Sequence, residues 1–315
     1  MDDWTDNQWL VIINPNAGRK KGMKDWGRIA ELLSLYEFEF TPAFSQRPLS
    51  AIRMAREFIQ KGYRKIIVVG GDGTMNEVIN GLFQQDRYKT TEVLFGMIPV
   101  GTGNDWGRMF GIPDDYEQAI SVIKNCQTYI QDAGQVKYTI GDKEDSRYFI
   151  NIAGMGFDAL VTRKSNRLKE KGRGGSLLYF INIFTTMFSY RHVDASIQID
   201  GKTIKNKVFS LSLGIGKYNG GGMMQLPTAI ADDGLFDLTL IKKISKPDLI
   251  FSLKRLYNGT IGEHPRVETF TGKEIRIDSK NKLLLETDGE SLGHTPLEFS
   301  IIPRSVKVIT GISSV

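Results

Sequence analysis

An apolar, β-branched run, Lys65-Ile66-Ile67-Val68-Val69, leads directly into Gly70-Gly71-Asp72-Gly73-Thr74-Met75-Asn76-Glu77. The run has the pattern of a buried parallel strand. Beyond it, Glu77, Val78, Ile79 and Leu82 continue at helical spacing. The junction is therefore a strand–loop–helix corner, and it commits this part of the chain to an α/β architecture. Three glycines let a backbone turn tightly and approach a ligand without Cβ interference. Amides at a helix N-terminus favour an anion, with phosphate the obvious candidate. Asp72 would repel a bare phosphate unless a cation lay between them, which points to Mg²⁺–nucleotide. A plain capping role for Asp72 and Thr74 stays open on these residues alone.

Upstream, Trp9-Leu10-Val11-Ile12-Ile13 reads as a first buried strand ending in Asn14-Pro15-Asn16-Ala17-Gly18, then Arg19-Lys20-Lys21-Gly22. Asn-Pro and Gly mark a loop. The C-terminal ends of parallel strands are where α/β sheets bind ligands. The three cations suit phosphates, or equally a solvated turn. The loop is not Gly-x-Gly-x-x-Gly, which weakens a dehydrogenase reading, and no Walker A sequence occurs in the chain. Helices are expected over 24–35 and 49–61, with a short strand at 38–40 between them. A second corner follows the strand Val93-Leu94-Phe95-Gly96-Met97-Ile98: Pro99-Val100-Gly101-Thr102-Gly103-Asn104-Asp105. Strand–helix alternation to about residue 125 predicts a doubly wound parallel sheet.

From about residue 130 the texture changes to short alternating strands with polar, Gly-rich turns, among them the hairpin signal Asp200-Gly201. This half reads as an all-β sandwich or barrel with a few helices. The predicted organisation is an α/β domain over 1–131 and a β-sandwich domain over 132–315. Within the second half, Arg163, Lys164, Arg167, Lys169, Lys171 and Arg173 precede the greasy segment Leu177 to Phe188. The pair suits either an anionic membrane surface or a solvated helix end followed by a core helix.

Composition bounds the function classes. The chain has 315 residues, 41% hydrophobic and 24% charged, with a net charge of +5, ordinary for a soluble globular protein with a mild preference for anionic partners. No basic stripe interleaved with aromatics appears, so nucleic acid is not expected. The single cysteine, Cys126, excludes a disulfide framework and a Cys-rich zinc site and fits a reducing, cytoplasmic compartment. Met1-Asp2-Asp3-Trp4 has no signal-peptide character. No apolar run approaches the roughly 18 residues of a membrane span, so any membrane contact is expected to be peripheral. His192, His264 and His294 have no metal-ligand spacing.

The two corners together, Gly70-Gly71-Asp72-Gly73-Thr74 with Asn76-Glu77 and Gly101-Thr102-Gly103-Asn104-Asp105, resemble the diacylglycerol kinase catalytic-domain family of soluble lipid kinases. The first alone would be shared with NAD kinases. The resemblance continues in Asn14-Pro15-Asn16-Ala17-Gly18, in Gly220-Gly221-Gly222 with Ala231-Asp232-Asp233-Gly234-Leu235, and in Thr287-Asp288-Gly289-Glu290. It implies an α/β nucleotide domain, a β-sandwich domain and an active site in a cleft, acting on a lipid at the inner membrane face; it is compatible with a homodimer. By that similarity Asn14, Pro15, Asn16, Ser45, Gly70, Gly71, Asp72, Gly73, Thr74, Met75, Asn76 and Thr102 would line the ATP site. Asp72, Asp105 and Asp132 would organise catalytic Mg²⁺. Asp288 would be the base near the lipid hydroxyl, with Glu290 as alternative or partner, and Asp72 and Asp288 would both be exposed. A structural Mg²⁺ would be held by Asp233 and the carbonyls of Ile230 and Leu235. The identity of the acceptor is not legible, because acceptor pockets are built from scattered apolar residues.

Overall fold

The computed structural model describes residues 8–170 and 176–312, the side chains of 169–170 and 176–180 excepted. The expectations for Met1 to Trp4, for the side chain of Lys169, for Lys171 and Arg173, and for the side chains of Leu177 to Phe180 lie outside the described residues. The chain forms two compact units. One runs through Asp132 and resumes at Arg304; the other is Ala133–Pro303.

The first unit is built on parallel strands. Trp9–Ile13 pairs on one side with Phe40–Phe44 and on the other with Lys65–Gly70, which in turn pairs with Leu94–Pro99. Each of the three inner strands is a run of apolar residues because both faces are covered. Trp9, Val11, Ile13, Ile67 and Val69 face one side, packed with Ile29 and Leu33 of helix Trp26–Leu35 and Ile120 and Ile123 of helix Tyr116–Asn125. Their alternates Leu10, Ile12, Ile66 and Val68 are equally buried and face the other side. There helices Ser50–Lys61 and Asp72–Phe83 pack on each other and on the strands. Each such Val, Ile or Leu contributes about 1.5–3 kcal/mol of burial.

The boundary expected for the second half differs at its end. Residues 304–315 were grouped with the β domain, but from Arg304 the chain belongs to the first unit. The physical reason is a free edge. Lys307 and Val308 pair in parallel with Leu94 and Phe95, adding a fifth strand beside Leu94–Pro99. Val306, Val308 and Ile309 are fully buried, Thr310 N–H donates to the Gln127 carbonyl, and Gly311 N–H donates to that of Phe110.

The second unit is antiparallel. Lys202–Gly214 is long enough to serve two ladders: its first half pairs with Val193–Ile199 through the Asp200-Gly201 turn, and its second half pairs with Ile152–Gly156 and Phe236–Lys242. Asp200 and Gly201 both have positive φ, as such a two-residue hairpin requires. Glu274–Ser279 joins Val193–Ile199 to the strand Glu290–Ile309. Phe149, Phe236 and Phe299 meet between the ladders, with ring centroids 5.8 Å and 6.2 Å apart. The last strand, Glu290–Ile309, is continuous over 20 residues. A helix the periodicity reading passed over, Lys246–Asn258, is opened by Ser245, whose Oγ accepts from Asp248 N–H, and is closed at Gly259 in the left-handed region.

Candidate functional site

In the first unit the two glycine corners meet. Helix Asp72–Phe83 begins at Asp72 itself, with Gly71 as its N-cap in extended backbone. None of Gly70, Gly71 and Gly73 has positive φ, so tight turning is not their purpose. Close approach is. A Cβ on Gly70 would lie 2.5 Å from Thr74 Cβ, and one on Gly101 would lie 2.7 Å from Gly71 Cα. The strand ends are fastened to one another as well. Val100 N–H donates to the Gly70 carbonyl, Asn14 N–H to that of Val69, and Ser45 N–H to that of Ile13. The Asn14 amide also donates to Thr74 Oγ1 at 2.9 Å. Asn14, Ser45, the 70–74 corner and the 101–105 corner thus share the C-terminal end of the sheet.

Asp72 is half-buried, and its carboxylate accepts from two backbone N–H groups of the other corner, Asp105 at 3.1 Å and Trp106 at 2.9 Å. It serves as the missing cap of helix Asp105–Met109, whose own N-cap Asn104 makes no capping bond. The buried Asp105 side chain lies 3.9 Å from Arg108 Nε. Gly103 sits over both acids: a Cβ there would be 3.2 Å from Asp105 Oδ2 and 3.3 Å from Asp72 Oδ2. Asn104 Nδ2 donates to the Gly101 carbonyl and to Asp114, which fixes the amide and leaves its buried Oδ1 without a protein partner. Two converging carboxylates and an unmatched amide oxygen are hard donors. Mg²⁺ is held by such a set, one or two carboxylates with substrate phosphates and water. No group of three or more acidic, His or Cys side chains suited to a metal occurs among the described residues, so phosphate oxygens would have to complete the shell. A cavity of about 290 Å³ opens beside this corner, lined by Asn104, Arg108, Gly111, Ile112, Pro113 and Asp114.

Not every expected residue joins the corner in the same way. Thr102 and Asn16 are exposed, and Pro15 is half-buried beside Asn14. Met75 and Asn76 are wholly buried; Asn76 accepts from the Asn80 amide inside the helix. Glu77 caps the neighbouring helix, its Oε2 accepting from Ala51 N–H at 3.1 Å. Asp132 is fully buried, and its Oδ1 accepts from Arg304 N–H at 2.6 Å, where the chain re-enters the unit with Arg304 in the left-handed region. The first loop holds three successive left-handed residues, Gly18, Arg19 and Lys20. Arg19 and Lys20 carry the usual non-glycine cost of about 1–2 kcal/mol each.

In the second unit Asp288 corrects its expectation. It is 4% exposed, not open to solvent. Its carboxylate accepts three consecutive backbone N–H bonds, from Ile150 at 3.0 Å and from Asn151 and Ile152 at 3.1 Å. Ile150 and Asn151 form the two-residue break between strands Lys143–Phe149 and Ile152–Gly156, and Ile152 opens the second strand, so a carboxylate supplies the acceptor for amides at the break. Asp288 and Gly289 take positive φ, and Glu290, half-buried, begins the next strand. Buried Asn151 Oδ1 and Thr287 Oγ1 have no protein partner.

Beneath this turn lies a network that sequence reading missed. Glu286 is fully buried; its Oε2 accepts from Gly289 N–H at 2.9 Å and its Oε1 from the Asn219 amide at 3.1 Å. Asp158, half-buried, accepts from Ser210 Oγ at 2.7 Å, from Ser212 Oγ at 3.4 Å and from the Gln225 amide at 3.3 Å. Burial pushes the Glu286 carboxyl up to about 8, with Asp158 and Asp288 adding to the rise, and burial likewise raises Asp158. These residues are scattered over separate strands, loops and a helix, so no local motif announces them. In the 230–235 loop, exposed Asp233 accepts from Leu235 N–H at 2.9 Å and Ile230 is exposed. Buried Asp237 is raised first by desolvation and further by Asp233 nearby. The loop offers oxygen donors only, which suits a hard cation.

Comparison with known proteins decides the family. Residues 8–136 match the diacylglycerol kinase catalytic domain, and residues 151–310 match the YegS C-terminal NAD kinase beta sandwich-like domain. A diacylglycerol kinase of Staphylococcus haemolyticus is 30% identical over 301 residues, 95% of this chain and 87% of the relative. The chain belongs to the diacylglycerol kinase catalytic-domain family. A diacylglycerol kinase of Staphylococcus carnosus is 29% identical over 95% of this chain and 94% of its own. The family fold extends through the chain: a crystal structure from Bacillus anthracis str. Sterne superposes with a TM-score of 0.78 over 100% of both chains at 23% identity.

Proposed function

We propose that this family member is an ATP- and Mg²⁺-dependent lipid kinase that transfers the γ-phosphoryl group to the hydroxyl of diacylglycerol, giving phosphatidic acid. The observation that carries the reading is the convergence of Asp72 and Asp105 on the bare Cα of Gly103, beside two corners stripped of Cβ atoms. Phosphoryl transfer needs charge neutralisation and in-line positioning more than covalent help. Mg²⁺, when bound, neutralises phosphate charge. The corners offer backbone amides and room for phosphate, and Asn14, Ser45, Thr74 and Thr102 line the donor side. Asp132 acts from a distance, fixing the re-entering strand.

On the acceptor side, the bond from the γ-phosphorus to the ADP oxygen breaks as one to the lipid oxygen forms, and the hydroxyl proton passes to a carboxylate. Of the two acids in the 288–290 turn, Glu290 is the better proton acceptor, because it is the more exposed, while Asp288 is buried and held by three N–H donors. Asp288 and Glu286 hold the turn that presents Glu290. The loop with Asp233, Ile230 and Leu235 would hold the structural cation. Such an enzyme would work in the cytoplasm, peripheral to the membrane that holds its lipid; no helix among the described residues is long and apolar enough to cross one.

Incubation with labelled ATP, Mg²⁺ and mixed-micelle diacylglycerol is expected to yield phosphatidic acid. No transfer to any lipid would overturn the reading. A second acceptor class has its own support, since the C-terminal match is to a sandwich described as NAD kinase-like. An acceptor panel with diacylglycerol, a sphingoid base, phosphatidylglycerol and NAD, ranked by rate, separates them.

A further inference from the structure

Two helices of the second unit bury one face together and leave the other bare. Ser176–Ser189 contributes Ile183 and Met187, and Lys246–Asn258 contributes Leu249, to a single core cluster with Phe157, Val161 and Phe209. On the outer side of the first helix, Ile181, Phe184 and Phe188 stand at i, i+3 and i+7, one stripe. On the outer side of the second are Ile250 and Phe251. Phe188 is 63% exposed and Phe251 is 81% exposed, values that burial energetics disfavour unless something covers them. The stripes are joined where the helices meet. Lys246 Nζ donates to the Phe188 carbonyl at 3.1 Å and lies 5.0 Å from the centre of its ring.

The charge around this patch is mostly positive. Arg191, Lys243, Lys246 and Lys254 are exposed at its borders. The one acid on helix Lys246–Asn258 is Asp248, which accepts from Ser245 Oγ at 2.7 Å in the helix cap. Arg255 is paired with Glu263, and Lys242 with Glu268. The described part of the first helix carries no acid. The field of Lys243 is felt at its C-terminal end: His192 is held below its usual range, first by burial and then by Lys243 and Lys207, against a backbone hydrogen bond with Ile244.

We propose that this two-helix face docks on an anionic phospholipid bilayer, with Ile181, Phe184, Phe188, Ile250 and Phe251 entering the headgroup boundary and Arg191, Lys243, Lys246 and Lys254 meeting the lipid phosphates. The proposal deepens the lipid-kinase reading and takes its substrate from it. Outward aromatic and aliphatic residues rimmed by cations are what an interfacial helix needs. A second copy of the chain fits worse, because a two-fold contact through this face would set the same cations against themselves.

Sedimentation with vesicles of phosphatidylglycerol and phosphatidylcholine, against phosphatidylcholine alone, tests it. The wild-type chain should prefer the anionic vesicles. Phe184→Ser/Phe188→Ser/Phe251→Ser should lower partition at least about tenfold, and Arg191→Glu/Lys243→Glu/Lys254→Glu roughly a hundredfold. All the substituted side chains are partly or largely exposed, and circular dichroism and thermal melting should match wild type. Light scattering covers the other occupant: unchanged vesicle partition, or a wild-type dimer that the serine variant dissociates, overturns the proposal. Phosphorylation of a water-dispersible short-chain diacylglycerol separates this from the kinase reading. Equal rates for wild type and variants support docking. Loss of that activity together with vesicle binding overturns it, since the face would then belong to the acceptor site. If the wild type phosphorylates nothing while vesicle binding still depends on the face, docking stands and the kinase reading fails.

Discussion

Asp72 and Asp288 occupy parallel positions in two signature stretches, each an aspartate followed by glycine. Both carboxylates accept backbone N–H bonds from a distant segment. There the likeness ends. Asp72 is half-buried, takes two donors from a helix N-terminus, and has the Asp105 carboxylate beside it across an empty Cβ position. Asp288 is buried and takes three consecutive donors, two from a strand break and one from the start of the next strand. The first arrangement sets two carboxylates side by side at a position where a hard cation could bridge them; the second spends its carboxylate on three N–H donors. An Asp-Gly pair in a sequence therefore marks where a carboxylate is held, and its surroundings decide whether it also faces chemistry.

Substitutions should separate the two. The largest effect is expected at Asp72: Asp72→Asn keeps an acceptor for one N–H group but removes the charge, and kcat should fall about a thousandfold, while the other N–H group loses its acceptor at a cost of about 1 kcal/mol of stability. Glu290→Gln should lower kcat about a hundredfold or more, again without loss of fold. Steady-state rates at saturating ATP, with melting curves, check both. Asp288→Asn should act differently. A single amide oxygen cannot serve three N–H donors, and its NH₂ would face one of them. We expect a loss of about 3 kcal/mol of stability, read as a midpoint roughly 10 °C lower. An Asp288→Asn protein that melts like wild type yet loses turnover as Asp72→Asn does would erase the contrast and return the base to Asp288.

What could be read from residues alone follows the same division. The parallel strands of the first unit are long apolar runs, and their glycine corners stand beside them in sequence, so both were legible. The purpose of those glycines was not, because close approach of Gly71 to Gly101 is a contact between separate corners. Nor was the return of the chain at Arg304, which depends on an unfilled sheet edge. Helix Lys246–Asn258 carried its signals, Ser245 and Pro247 at one end and Gly259 at the other. It lay unread amid strand patterns. Glu286 and Asp158 had no local signal, since their partners come from residues 210, 212, 219, 225 and 289.

Glu286 gives the contrast a pH dependence. Its carboxyl is raised from 4.5 to about 8 in the folded protein, chiefly by burial. Folding thus holds its proton more tightly than the unfolded chain does. The stability it contributes is full below the unfolded value near 4.5 and is lost as pH rises through about 8. Asp158 is shifted in the same direction. Denaturant midpoints should therefore fall between pH 5 and 8, by an amount on the order of a few kcal/mol, and Glu286→Gln should flatten that slope. A slope unchanged in the variant would remove Glu286 from the account.

The smallest effect probes how the first unit ties its strand ends together. Thr74 Oγ1 accepts from the Asn14 amide at 2.9 Å, a side-chain bond that joins the first loop to the glycine corner. Thr74→Val keeps the volume and leaves the Asn14 amide one acceptor short, worth about 1 kcal/mol. The carboxylates at Gly103 are untouched, so kcat should stay within about twofold while KM for ATP rises about fivefold. Asn14→Ala should give the same KM, and the double variant should add little to either, because both singles remove one bond. Additive losses would mean that Asn14 and Thr74 meet the nucleotide separately, and the donor side would then be read as two contacts instead of one braced corner.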